Sequence, residues 1–197
     1  MKLFNKSSPV KIFIISAALF THHVQAEVKI PEFVKEYISL HMADREIFSG
    51  ELGEWAESWR KFYLEGPSDY TSRFIVTEPW SVNLDFNGDG NNDWIGFLVR
   101  PTNSNSTFDA YVDLYCICSN ADGREHILIV RDANPVSNGN KIDVGVYPKA
   151  PGSIVSQFED QSDLTTLNSS VEFMDFNKGG RIYYWDGIKV EKFTTSD

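Results

Sequence analysis

The chain has 197 residues, with 18 Lys or Arg against 28 Asp or Glu and only 2 Cys. That acidic balance disfavours nucleic acid and anionic membrane surfaces as partners and favours cations or basic proteins, and two cysteines exclude a scaffold built on disulfides. Fourteen Phe, eight Tyr and five Trp supply apolar material for one sizeable core.

The first residues read "MKLFNKSSPVKIFIISAALFTHHVQAEV". Lys2, Lys6 and Lys11 precede the apolar run Ile12–Phe20, and Val24-Gln25-Ala26 offers a small-residue cleavage site, the pattern of a secretory signal peptide over residues 1–26. The apolar run is far shorter than the ~20 residues that span a bilayer, and no Cys near the cut offers a lipid attachment point. The expectation is a periplasmic or secreted protein beginning near Glu27, with no membrane association after cleavage. Loss of the leader removes three lysines and no acids, so 15 basic residues remain against 28 acidic ones, a net charge of −13.

In "PEFVKEYISLHMADREIF", Phe33, Tyr37 and Leu40 fall at i, i+4 and i+7 with Val34 and Ile38 beside them, and Pro31 suits the first helical position. Trp55, Trp59 and Phe62 repeat the pattern before Gly66-Pro67 stops it. These spacings predict a helical part over 27–66. From Tyr70 the chain changes to short runs rich in Val, Ile, Tyr, Phe and Thr: "SRFIVTE", "WSVNLDF", "DWIGFLVRP", "FDAYVDLYCIC", "EHILIVRD", "KIDVGVYP", "SSVEFMDF" and "GGRIYYWDG-IKVEKF". They read as strands, and Asp122-Gly123, Asn138-Gly139 and Gly179-Gly180 between them mark antiparallel hairpins. No crossover helices interrupt the run, which argues against a parallel sheet. The segment from Pro148 to Ser170 is the least readable, a short helix or a loop across the sheet. No linker divides the chain, so residues 27–197 read as a single α+β domain: N-terminal helices packed on a mainly antiparallel β-sheet, with the β-rich part over 70–197.

Among the strands stands "DFNGDGNND", residues 85–93. With Asp85 as position 1, Asn87, Asp89, Asn91 and Asp93 occupy positions 3, 5, 7 and 9, and Gly90 takes the sharp turn at position 6. Oxygen donors at alternate positions of a curled loop are what a hard cation with 6–8 oxygen ligands requires, and position 7 contributes its backbone carbonyl. The reading is a Ca2+ site at Asp85, Asn87, Asp89, Asn91 and Asp93, structural in use; Mg2+ is disfavoured because it keeps its waters. It is not an EF-hand: Gly96 stands at position 12, where a bidentate Glu belongs, and the flanks are strands. The bland alternative is a metal-free turn, since Asn-Gly and Asp-Gly form hairpins unaided.

The stretch "DFNGDGNNDWIGFLV" resembles the D-x-N-G-D-G-x-x-D loop of FG-GAP and VCBS-type repeats, which joins two strands. The resemblance covers about fifteen residues and implies a local calcium loop. Such repeats build propellers from several copies, and this chain has one; the nearest echo, "DFNKGGRIYYWDG", puts Gly179 and Tyr183 at positions 5 and 9 and reads as a hairpin without metal. More broadly, the layout resembles small exported bacterial proteins that carry a single loop of this kind.

In "YVDLYCICS", strand alternation places Val112, Leu114, Cys116 and Cys118 on one face. Two residues of extended strand span ~6.6 Å, near the upper limit for a bridge, so two buried free thiols are the favoured reading and a Cys116–Cys118 bridge the alternative. His41 and His126 lie far apart and read as surface or core residues. No G-x-S-x-G, H-E-x-x-H, Walker A or G-x-G-x-x-G pattern occurs. The functional expectation is a non-catalytic exported binding protein with one structural Ca2+ loop, in its sharper form a periplasmic inhibitor or immunity protein for a cationic effector. The alternative is a Ca2+-dependent hydrolase or a carbohydrate-binding protein.

Overall fold

A computed structural model describes residues 30–53, 57–58, 80–102, 110–136, 141–156, 158, 160–176 and 178–195. The leader expectation, the strand expected over 72–78 and the turn at Asn138-Gly139 lie outside the described residues.

One helix, α1 (Glu32–His41), opens the described chain. Two short strands follow, β1 (Glu46–Ile47) and β2 (Glu51–Leu52), then β3 (Ser81–Leu84), β4 (Asp93–Pro101), β5 (Ala110–Asn120) and β6 (Gly123–Pro135). The remainder comprises β7 (Lys141–Ile142), β8 (Val144–Lys149), β9 (Gly152–Ile154), β10 (Leu164–Thr166), β11 (Ser170–Asp175), β12 (Gly179–Trp185) and β13 (Val190–Thr194). The first sheet runs β1-β4-β5-β6, with β3 beside β1 along the same edge of β4. The second runs β13-β12-β11-β8, every neighbouring pair in both sheets being antiparallel. Two small pairs complete it: β9 with β10, antiparallel, and β2 with β7, parallel. The unreadable segment after Pro148 thus contains the β9–β10 pair.

The two sheets face each other across one core. Phe97, Leu114, Cys116 and Cys118 from the first meet Val146, Val171, Phe173 and Tyr183 from the second, with Phe97 and Phe173 ring centroids 6.3 Å apart, edge to face. The other face of the first sheet is covered by α1, where Val34, Ile38 and Met42 meet Trp94, Leu98, Tyr115 and Ile117. Strands β4 and β5 are therefore buried on both faces, and "DWIGFL" is a continuous buried run instead of an alternating one. Gly96 belongs to this packing: it pairs with Ser81 and Tyr115 inside the sheet, and a Cβ there would collide with the Trp94 ring.

This corrects the expected α+β architecture. The described residues form a mainly antiparallel β protein with one short helix, and β1 and β2 stand where the helical part over 27–66 was expected to continue. The buried stripe of α1 is Val34, Ile38 and Met42, while Leu40 is exposed. The helix ends at His41, with the Met42 N–H closing onto the Ile38 carbonyl, and beyond it Ile47 packs toward α1 and Phe48 into the inter-sheet core. Of the second expected helix, Glu51–Leu52 form a strand and Glu57 and Ser58 are helical; its Trp55, Trp59 and Phe62 lie outside the described residues. No helix among the described residues is long and apolar enough to cross a membrane.

Candidate functional site

Residues 85–92 connect β3 to β4, and the pairing of Leu84 with Asp93 closes the connection at its base. Gly88 and Gly90 have φ of 80° and 85°, in the left-handed region where a side chain is strained. Around them the polar side chains fold inward. Asp85 accepts the Gly88 N–H on Oδ1 (2.8 Å) and the Gly90 N–H on Oδ2 (3.0 Å). Asn87 Oδ1 accepts the Asp89 N–H (3.1 Å), and Asp89 Oδ1 accepts the Asn91 N–H (2.8 Å). The Asn91 N–H is the main cause that holds the Asp89 carboxyl below its ordinary value, opposed by desolvation and helped by the Ser119, Asn91 and Asn87 side chains.

Asp93 has a different place from the other four residues. It is fully buried beneath the loop. Its Oδ2 accepts the N–H groups of Phe86 (2.9 Å) and Asn87 (3.3 Å), and its Oδ1 accepts the Ser119 N–H (2.7 Å) and hydroxyl (2.9 Å). Four donors fill the roughly four acceptor positions of a carboxylate, so Asp93 anchors the loop to β5. The exposed rim carries Asp89 and Asn91, with Asp85 and Asn87 half-buried. Each oxygen of Asp85 and the Asn87 amide oxygen accepts one hydrogen bond from the loop backbone, and each has room for one more.

Two anchors come from far along the chain. Ser119, on β5, shares its single hydroxyl proton between Asp93 and Asp89 Oδ1 (3.1 Å), and its carbonyl accepts from Asn87 Nδ2 (2.5 Å). Asn168, between β10 and β11, donates Nδ2 to the Asn87 carbonyl at 3.4 Å. Asn168 also fills the space that a Cβ on Gly88 would take, 2.6 Å from its amide. Neither partner has a local sequence signal, since they lie 26 and 81 residues from their loop contacts.

The cysteines are joined as a Cys116–Cys118 disulfide, and no free thiol remains. This overturns the favoured free-thiol reading: the Cα atoms lie 5.5 Å apart, inside the bridgeable range, because β5 rises less here than a fully extended strand. Both residues face the inter-sheet core. Among the described residues one group of potential metal ligands falls close together, Asp93 with Cys116 and Cys118, their ligand atoms within 4.8 Å of one another. It is no soft-metal site, because a disulfide sulfur lacks the thiolate such metals take and the Asp93 oxygens are already committed.

Elsewhere the structure joins residues that the sequence reading kept apart. Tyr37 stands between the two histidines: its ring is 4.5 Å from that of His41, and its hydroxyl is 3.1 Å from His126 Nδ1. Burial first, and the Glu125 charge second, raise the Tyr37 pKa above its ordinary 10.0. Asp113 is fully buried. It accepts Arg100 Nε at 3.0 Å and the Asp132 N–H at 2.8 Å, pairs with Arg45 at 3.4 Å, and Arg100 also pairs with Asp132. The echo motif is a hairpin in which Asp175 pairs with Gly179, with Tyr183 of β12 packed on Phe173.

A scan of protein-family models finds no match to this chain, and searches of curated proteins and of solved structures find none either.

Proposed function

We propose that the chain is an exported, non-catalytic binding module whose β-sandwich is rigidified by Ca2+ at residues 85–93. The observation that carries this reading is the inward curl of Asp85, Asn87 and Asp89 over two left-handed glycines, tied from beneath by a buried carboxylate. Asp85, Asn87 and Asp89 would hold the ion with the Asn91 carbonyl, while Asp93 fixes the loop to the sheet. Oxygen donors of this hardness suit Ca2+, and the likeness to FG-GAP-type loops supports the same ion.

Extracellular modules bind Ca2+ with Kd of ~10⁻⁴–10⁻³ M, so 10 mM Ca2+ should stabilise the chain by about 1.4–2.7 kcal/mol through mass action. For a chain of this length that is a Tm gain of about 3–10 °C over EDTA. Asp85→Ala and Asp89→Ala should each abolish the gain while leaving a folded protein. Identical melting in Ca2+ and EDTA removes the calcium reading.

The net charge of −13 without the leader supports a basic protein as the partner. Its capture should weaken steeply between 50 mM and 500 mM salt, as exposed charge pairs are screened. Salt-independent capture would point to an apolar interface instead.

A further inference from the structure

Beneath the cation loop lies the Cys116–Cys118 bridge, its sulfurs within 4.8 Å of an Asp93 carboxylate oxygen. The next residue is Ser119, which makes four hydrogen bonds to the loop: its N–H and hydroxyl to Asp93, its hydroxyl to Asp89, and its carbonyl from Asn87. We propose that this disulfide is a redox latch on the loop, so that the oxidised chain holds Ca2+ more tightly than the dithiol chain. The ion half rests on the calcium reading above; the latch half rests on the contacts alone.

The geometry supplies the coupling. The bridge holds the two Cα atoms 5.5 Å apart, whereas two residues of extended strand rise ~6.6 Å. A β5 freed of the bridge can lengthen by about 1 Å at the residue before Ser119. The Ser119 bonds to Asp93 are 2.7 and 2.9 Å, and a shift of that size carries them beyond ~3.5 Å, where they no longer hold. Asp93 would then release Phe86 and Asn87, whose N–H groups it fixes, and the curl that gathers Asp85, Asn87 and Asp89 would loosen. A bridge between residues two apart restrains little of the unfolded chain, so its effect is local.

Both cysteines are buried, Cys116 at 0% and Cys118 at 1% exposure. Thiols in solvent reach them only through local opening. The latch therefore records the redox state in which the chain folded, and a chain folded among reducing thiols keeps a loose loop. Opening it takes a dithiol reductant: the S–S bond breaks, two electrons and two protons pass to Cys116 and Cys118, and the reductant closes to its own cyclic disulfide.

The test compares oxidised protein, protein reduced with dithiothreitol to a mass gain of two hydrogens, Cys116→Ala/Cys118→Ala, and Ser119→Ala with the bridge intact. Amide hydrogen exchange at Gly88, Gly90 and Asn91 is read in EDTA, and Ca2+ affinity by calorimetric titration. Reduction and the double Ala variant should each speed exchange and weaken Ca2+ binding about tenfold or more. Ser119→Ala removes the hydroxyl bonds to Asp93 and Asp89 but keeps the backbone N–H and carbonyl ones. It should therefore reproduce part of that loss, and its reduction should add less than reduction of the wild type, as expected when both changes act through one link. Should the double Ala variant fail to fold, the reduced wild type carries the comparison. Unchanged exchange overturns the latch whatever calcium does. Faster exchange on reduction, in a chain whose oxidised form ignores calcium, overturns the calcium reading and the ion half of the proposal while upholding control of loop order. Equal Ca2+ affinity in both redox forms overturns the ion half alone.

Discussion

At Asp93, two N–H groups of the loop and two donors of Ser119 converge on one buried carboxylate, so its removal strands several donors at once. Each buried unsatisfied donor costs ~1–3 kcal/mol, and Asp93→Ala should lower unfolding free energy by more than about 2 kcal/mol in urea titrations. Asp93→Asn should not rescue it, because its amide nitrogen would face N–H groups; an Asn variant with the wild-type midpoint would disprove the anchoring role. The two glycines separate backbone from packing. Gly88→Ala and Gly90→Ala each carry a left-handed penalty of ~1–2 kcal/mol, but only Gly88 faces Asn168, with open space around Gly90. Gly88→Ala should therefore cost more, and in an Asn168→Gly background its cost should fall to that of Gly90→Ala. Equal costs in the wild-type background would mean that Asn168 yields freely.

Among the elements, the β5–β6 pairing is the most irregular. Its register shifts between Val112 and Leu114 and again between Leu114 and Tyr115, and Asp132 sits at φ 50°. The extra residues of β6 bring the Asp132 N–H onto Asp113, whose carboxylate also holds Arg100 and Arg45. Asp113→Ala leaves two guanidinium groups without their buried partner and should destabilise by about 3–5 kcal/mol; a cost below 1 kcal/mol would make the cluster dispensable. Strands β4, β5, β6 and β11 to β13 were legible because β-branched and aromatic runs end at local turn residues. The curl of residues 85–93 was legible because its donors and acceptors lie within a few residues of each other. What was not legible depends on distant partners: Glu46 pairs with Val99, Glu51 with Lys141, and Ser119 and Asn168 reach the loop from other strands. The burial of Asp113 was not legible either, because Arg45 and Arg100, which pair with it, come from other elements. The helical periodicity of residues 31–41 was sound, yet it did not tell which stripe would be covered.

For the whole molecule, the loop stands at a junction between the sheets: it joins β3 to β4 of the first, while Asn168 leads into β11 of the second. An ion held there would be felt by both, so the calcium gain in Tm should appear equally in Trp fluorescence and in backbone circular dichroism, as for one cooperative unit. Separate shifts for the two signals would divide the sheets into independent units. The parallel pairing of Glu51–Leu52 with Lys141–Ile142 carries a further consequence. Although the β4-β5-β6 and β11-β12-β13 runs pair locally, β2 finds its hydrogen-bonding partner only beyond the whole of the first sheet. The N-terminal strands therefore join late, because closing so long a loop precedes any gain from the contacts it brings together. Refolding after denaturant dilution should accordingly take milliseconds to seconds, leaving an interval in which the unpaired strands are open to a chaperone or to one another.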